Sequence, residues 1–275
     1  MNQCTDFLYH YTSIETLALI LSNRTFRLNS LDQMDDLQEK ETSDIKNIGQ
    51  FCYISSWTDD ETESIPMWKM YSSLDSGVRI KLKANPFKLF ENTPESIKEV
   101  SVLPVTDESN GVYLKSIIPI ADMMKKGYIC PAAMSNNILH KVEYTSDPSK
   151  LYPKLVTYEG DKFSISLGTL GIHKNIHWEF QHEWRYILQF YPVNINQDPN
   201  ILPTSVQIMA NKILHGLEKQ PFPFYDLQLD DVAFSKMEIT LSPKISAGYR
   251  LIVNSLIEKY NPSALIHNSS LLGLI

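Results

Sequence analysis

Cysteine is scarce in this chain. Cys4, Cys52 and Cys130 are the only three among 275 residues, and no two form a Cys-x-x-Cys pair. An odd count at such spacing argues against a disulfide framework and against a structural zinc site. Long hydrophobic runs are missing too. No apolar stretch approaches the ~18 residues that a membrane-spanning helix needs. Met1-Asn-Gln-Cys-Thr-Asp6 has neither a basic region nor an apolar one, so no signal peptide is visible. These absences give the expectation of reduced thiols in a soluble, cytoplasmic protein with no membrane partner. Basic charge is in deficit as well: 25 Lys and Arg stand against 32 Asp and Glu, a formal net charge of −7. Such a surface repels phosphate backbones on average, which argues against strong nonspecific nucleic-acid binding, though the total charge leaves a local basic groove open. The pairs Lys125-Lys126 and Lys81/Lys83 are too sparse for a nucleic-acid track.

What remains is an ordinary globular composition, 43% hydrophobic and 21% charged. Its densest chemistry lies in His173-Lys-Asn-Ile-His-Trp-Glu-Phe-Gln-His-Glu-Trp184, followed by Arg185. Two carboxylates, three imidazoles and two indoles crowd there before the apolar Tyr186-Ile-Leu-Gln-Phe-Tyr191. Packing alone rarely selects such a mixture.

The pattern along the chain predicts an α+β fold. Phe7-Leu-Tyr-His-Tyr11 reads as a strand, and Thr12-Ser-Ile-Glu15 has the form of a capping box. Ile14, Leu17, Ala18 and Leu21 then mark the apolar side of a helix ending near Asn23. Thr25–Asn29 and Phe51–Trp57 follow as strands, Pro66 opens a short helix, and Gly77–Leu82 alternates as another strand. Residues 86–141 are less regular and form an insertion, with a helix expected over Ser116–Lys126. Val142–Tyr144 reads as a return to sheet, Leu155 to about Trp178 as mostly helix, and Trp184–Tyr191 as a strand with Glu183 at or just before its start. Five prolines make 192–230 a loop region; Val232–Leu241 is expected as a strand and Pro243–Tyr260 as a helix. The whole, 1–275, is expected to be one domain with a helical insertion.

Three segments carry groups that suit one site. His10 ends a strand just before a helix N-terminus, where anions are favoured. Trp68 and Tyr71, three apart on a helix, offer a flat surface for a planar ring. Glu183 can hydrogen-bond a sugar hydroxyl and stabilise positive charge at an anomeric carbon. Imidazole, aromatic surface and carboxylate together suit a nucleotide whose glycosidic bond is to break.

Leu8-Tyr-His-Tyr-Thr-Ser13, Phe26-Arg27, Met34-Asp-Asp-Leu-Gln-Glu39, Ser55-Ser-Trp57, Met67-Trp-x-x-Tyr71, Ser76-Gly77 and Gln181-His-Glu-Trp-Arg185 follow one another in this order. That series resembles a bacterial and phage family of uncharacterised domains, itself similar to ADP-ribosyltransferases of the His-Tyr-Glu type. The resemblance covers 7–82 and 174–190. It implies a split mixed or antiparallel sheet with flanking helices, NAD as substrate, and a toxin-like or phage-defence effector restrained by an antitoxin. It further implies that His10 orients NAD, Tyr71 stacks on nicotinamide and Glu183 binds the nicotinamide ribose. Tyr11, Thr12, Arg27, Ser55, Ser56, Trp68 and Gln181 would line the cofactor site. The acceptor, protein or nucleic acid, stays open. Two departures stand out. Asp35-Asp36-Leu37 replaces the family's Asn-Asp-Pro turn, and Gln181-His-Glu183 replaces its Glu-x-Glu, which bears on acceptor choice or on activity itself.

Each feature also has a structural reading. His10 fits a hydrogen-bonded strand histidine, Trp68 and Tyr71 fit core residues, and Asp35-Asp36 fits a solvated turn. Glu183 can pair with Arg27 or Arg185. His173 and His177, four apart, would share a helix face and could hold a metal with Glu179 or His182. Two further functions therefore stand beside the transferase: a non-catalytic NAD- or ADP-ribose-binding module, and a metal-dependent hydrolase.

Overall fold

A computed structural model describes residues 5–93, 114–134, 137–160, 162–193 and 202–275. Cys4, and residues 94–113 and 135–136 of the 86–141 insertion, lie outside the described residues.

The expected mixture of helix and sheet is present. Strand β1 (Phe7–Ser13) runs into helix α1 (Ile14–Asn23), then β2 (Thr25–Ser30), β3 (Cys52–Thr58), helix α2 (Ile65–Tyr71) and β4 (Gly77–Lys83). The main sheet is ordered Phe224–Gln228, β2, β3, β1, β4, Glu238–Leu241, Leu265–His267. Most neighbours are antiparallel, but the last two run parallel, so the sheet is mixed. A further strand, Glu183–Gln189, pairs with β3 along its whole length and carries Leu139–Lys141 on its other edge.

Strand β3 is where the sheet divides. On the edge opposite Glu183–Gln189, β3 pairs with β2 at Tyr53 and Ile54 and with β1 at Thr58. The register leaves Ser55–Trp57 without a ladder partner on that edge. A backbone carbonyl left over in such a place needs another donor, and a side chain supplies it below. Helix α1 packs on β1, β2, β4 and the C-terminal helix Ala247–Tyr260, burying Ile14, Leu17, Ile20 and Leu21. Leu8, Leu28, Val78, Ile80, Leu188 and Val253 are likewise enclosed in the same core. Helix α2 packs on β1, its wholly buried Trp68 ring edge-on to Tyr11 at 5.0 Å.

Several expectations need correction. The cap of α1 is Ser13, whose Oγ accepts the Thr16 N–H; the strand runs through Thr12, so Thr12 is not the cap. The segment 155–178 is not helical. It forms the hairpin Val156–Glu159/Lys162–Ile165, the short strand His173–Asn175 and a 3-10 turn over Ile176–Gln181. Gly160, at φ 61, supplies the left-handed backbone of the hairpin turn. The stretch 192–230 contains a helix, Leu202–Leu214, and a strand, Phe224–Gln228. Val232–Leu241 begins as a helix, Asp231–Ser235, because Asp230 caps it by accepting from the Val232 and Ala233 N–H groups; only Glu238–Leu241 is strand. Within Ser116–Lys126 only Ile120–Lys125 is helical, and the insertion also contributes strands Phe90–Asn92 and Leu114–Ser116. Among the described residues no helix is long and apolar enough to cross a membrane.

Candidate functional site

The unpaired stretch of β3 takes its donor from β1. His10 Nδ1 lies 2.9 Å from the Ser56 carbonyl oxygen. A carbonyl only accepts, so Nδ1 carries the hydrogen and Nε2 is the acceptor nitrogen. The ring is wedged between Phe26 and Trp57, with centroids at 5.4 and 5.1 Å. Burial pushes the imidazole pKa down despite the Ser56 hydrogen bond, so His10 is neutral near pH 7. His10 is thus a hydrogen-bonded strand histidine that also faces a cavity.

That cavity, of about 580 Å³ including its open mouth, is lined by His10 and Tyr11 of β1, Ser56 and Trp57 of β3, Tyr71 of α2, and Lys174, Gln181, Glu183 and Arg185. Asp35 and Asp36 stand at it as well. A second cavity, about 910 Å³ including its open mouth, adjoins it. His10, Tyr11 and Tyr71 line both, and Thr12, Thr16, Phe26, Arg27 and Asp226 belong to the second.

Glu183 opens its strand opposite Thr58, and its backbone N–H donates to the Tyr144 hydroxyl at 2.8 Å. Strand periodicity puts Arg185 on the same face two residues later. The guanidinium grips the carboxylate through Nε to Oε1 at 2.6 Å and Nη2 to Oε2 at 3.1 Å. Lys174 Nζ reaches Oε2 at 3.0 Å. Glu39, from the loop after β2, completes the set: it lies 2.8 Å from Arg185 Nη1 and 3.1 Å from Lys174. All four side chains are buried. Two cations and two anions leave the cluster neutral, the condition under which buried charge is tolerated. Burial alone would raise the Glu183 carboxyl, but Arg185 and then Lys174 outweigh it and hold it at about 2. Glu183 and Glu39 raise Arg185 in turn, against burial.

Lys174 also donates to Gln181 Oε1 at 2.8 Å. This fixes the amide orientation, so that Gln181 Nε2 donates to the Tyr71 hydroxyl. Burial, then the charges of Glu183 and Asp35, push the Tyr71 phenol up, so it stays protonated. A continuous hydrogen-bonded path therefore links the ion cluster to the aromatic wall.

The structure brings together His10, Tyr11, Ser56, Tyr71, Gln181 and Glu183 around the first cavity, and Thr12 and Arg27 around the second. Trp68 and Ser55 stand apart. Trp68 is 0% exposed and donates from Nε1 to Glu63 at 3.0 Å. The buried Ser55 accepts from Trp57 Nε1. Glu183 pairs with Arg185 and not with Arg27, which instead grips Asp226 through two hydrogen bonds of 2.8 and 2.9 Å. Glu39 and Lys174 are the members that sequence reasoning missed. The two Asp residues beside Glu39 drew attention, and nothing local marks a pairing across more than a hundred residues.

His173 and His177 do not share a helix. His173 is on a strand beside Glu143, at 3.3 Å, and His177 is in the 3-10 turn. Among the described residues no group of three or more His, Cys, Asp or Glu side chains is placed to hold a metal ion. Compared with known proteins, the chain matches no family model, no curated protein and no solved structure.

Proposed function

We propose that the two adjoining cavities bind NAD and that the protein is an NAD-dependent ADP-ribosyltransferase of the His-Tyr-Glu kind, a toxin-like or phage-defence effector. The observation that carries this reading is the convergence of His10, Tyr71 and Glu183, from three distant segments, on one cavity that continues into a second.

In this reading nicotinamide lies against Tyr71, its ribose at Glu183, and the adenosine half extends past His10 along Thr12 and Arg27. The C–N glycosidic bond breaks, its electron pair leaving with nicotinamide. The oxocarbenium-like ribose is stabilised by the Glu183 carboxylate, which is ionised throughout the physiological range. An acceptor nucleophile then attacks the anomeric carbon and gives up its proton. The acceptor is a protein or a nucleic acid, and an antitoxin is the natural restraint on such an activity. The flat-surface role belongs to Tyr71 alone, since Trp68 is covered.

One observation favours a second reading, a binding module without catalysis: two cations already offset the Glu183 charge. Nicotinamide release from NAD separates the two. Wild type is expected to release it, and Glu183→Gln and Tyr71→Ala to lose at least about 100-fold in rate, the scale of removing one transition-state contact. Circular dichroism checks that each variant folds. Wild-type binding of NAD with no release would support the module; no binding would sink both readings.

A further inference from the structure

Glu183 has little acceptor capacity left. Oε1 takes Arg185 Nε, and Oε2 takes both Arg185 Nη2 and Lys174 Nζ. A ligand hydroxyl that is to reach this carboxylate must exchange with one of these donors.

The two cations are not equivalent in this respect. Arg185 is 1% exposed and also donates to the Gly171 carbonyl at 2.9 Å and to Glu39 at 2.9 Å. Its planar fork is fixed at every corner, so moving it would strand several buried N–H groups. Lys174 makes one contact to Glu183, and its ammonium has other partners within reach: Gln181 Oε1 at 2.8 Å and Glu39 Oε1 at 3.1 Å. It also lies 4.8 Å from the centroid of the Trp178 ring. A lysine is a compact charge on a flexible stem, and a small rotation keeps these partners while releasing Oε2.

We infer that Lys174 is an exchangeable cap on Glu183, and that a ribose hydroxyl of the ligand takes its place by donating to Oε2. This rests on the NAD reading above. Without ligand, Lys174 holds Glu183 and Gln181 in register. On binding it shifts onto Glu39 and Gln181, and Oε2 is then open to the ribose where positive charge is to develop. Lys174 is therefore a positioning residue. The saturation of Glu183 becomes a property of the resting site and no longer an argument against catalysis.

Calorimetry with NAD and with ADP-ribose tests the cap. The proteins are wild type, Lys174→Met, Lys174→Arg and the double variant Glu39→Gln/Lys174→Met. The double variant keeps one buried cation against one buried anion, so the test survives if the single variant fails to fold. The cap requires both ligands to bind Lys174→Met or the double variant at least about threefold tighter than wild type, because one charge-assisted hydrogen bond no longer has to break. KM for nicotinamide release should fall in parallel, and Lys174→Arg, with more donors, should bind more weakly. A merely structural lysine would lower the melting temperature and leave affinity equal or reduced. NAD binding with no gain in either folded Met variant overturns the cap alone. Failure of every protein to bind NAD overturns the NAD reading and the cap with it.

Discussion

Arg185 is the residue on which the cluster turns. It holds both Glu183 and Glu39, and no other cation touches as many of the buried polar groups there. Arg185→Met would leave two buried carboxylates with Lys174 as their only cation. Breaking a buried ion set in this way costs about 3–5 kcal/mol, so urea unfolding should show a loss of that size. A loss below ~1 kcal/mol would mean that water or rearrangement replaces the guanidinium. Glu183 also sets a pH dependence. Its folded carboxyl lies at about 2 against an ordinary 4.5. The group therefore contributes stability that is present above 4.5 and is lost as pH falls toward the folded value. The wild-type urea midpoint should fall more steeply than that of Glu183→Gln between about pH 5 and pH 2; parallel profiles would contradict the pairing. That Glu183 pairs with Arg185 is legible in the sequence, because residues two apart on a strand share a face. Glu39 is not legible, since only the folded chain brings its segment to the others, and Lys174, nine residues before Glu183, is not placed beside it by any helix or strand period.

At the scale of elements, the N-terminal third read well because each piece carries its own signals. Alternation marks β4, Pro66 opens α2, and the apolar positions of α1 recur at helical spacing. The cap of α1 was displaced by one residue because Thr12 and Ser13 are both competent caps, and the length of β1 decides between them. Ser13→Ala should cost about 1 kcal/mol in urea unfolding. An unchanged midpoint would show that Ser13 Oγ is not the cap. The hairpin at 156–165 reads as helix from the sequence alone, since short apolar runs fit either period, and pairing settles the matter. In Val232–Leu241 an unnoticed Asp230 cap won over the β-favouring residues. Helix α2 illustrates how packing serves the site. Trp68 anchors it against Tyr11, while Met67 and Tyr71 face the first cavity. Trp68→Ala should cost about 3–5 kcal/mol and weaken NAD binding by letting Tyr71 drift, which calorimetry can follow. Full NAD affinity in a destabilised variant would separate the anchor from the site.

Taken whole, the molecule assembles its site where β3 changes partners. His10 from β1 fills the gap in the ladder and so joins two branches of the sheet. Tyr71 from α2, Glu183 and Arg185 from the strand on the far edge of β3, Lys174, and Glu39 from the loop after β2 close around that point. Order along the chain suggested the convergence; the ion cluster beneath it, and the second cavity beyond it, are products of the tertiary fold. A ligand that binds only this assembly must stabilise it, by about 2.7 kcal/mol at a hundredfold excess over its Kd. The most direct measurement of the central claim is transfer of label from isotopically labelled NAD into cell lysate, with the lysate then split into protein and nucleic-acid fractions. The account predicts label in one fraction with wild type and none with Glu183→Gln or Tyr71→Ala. Equal label with wild type and the folded Glu183→Gln variant, or none in either fraction with wild type, would contradict it.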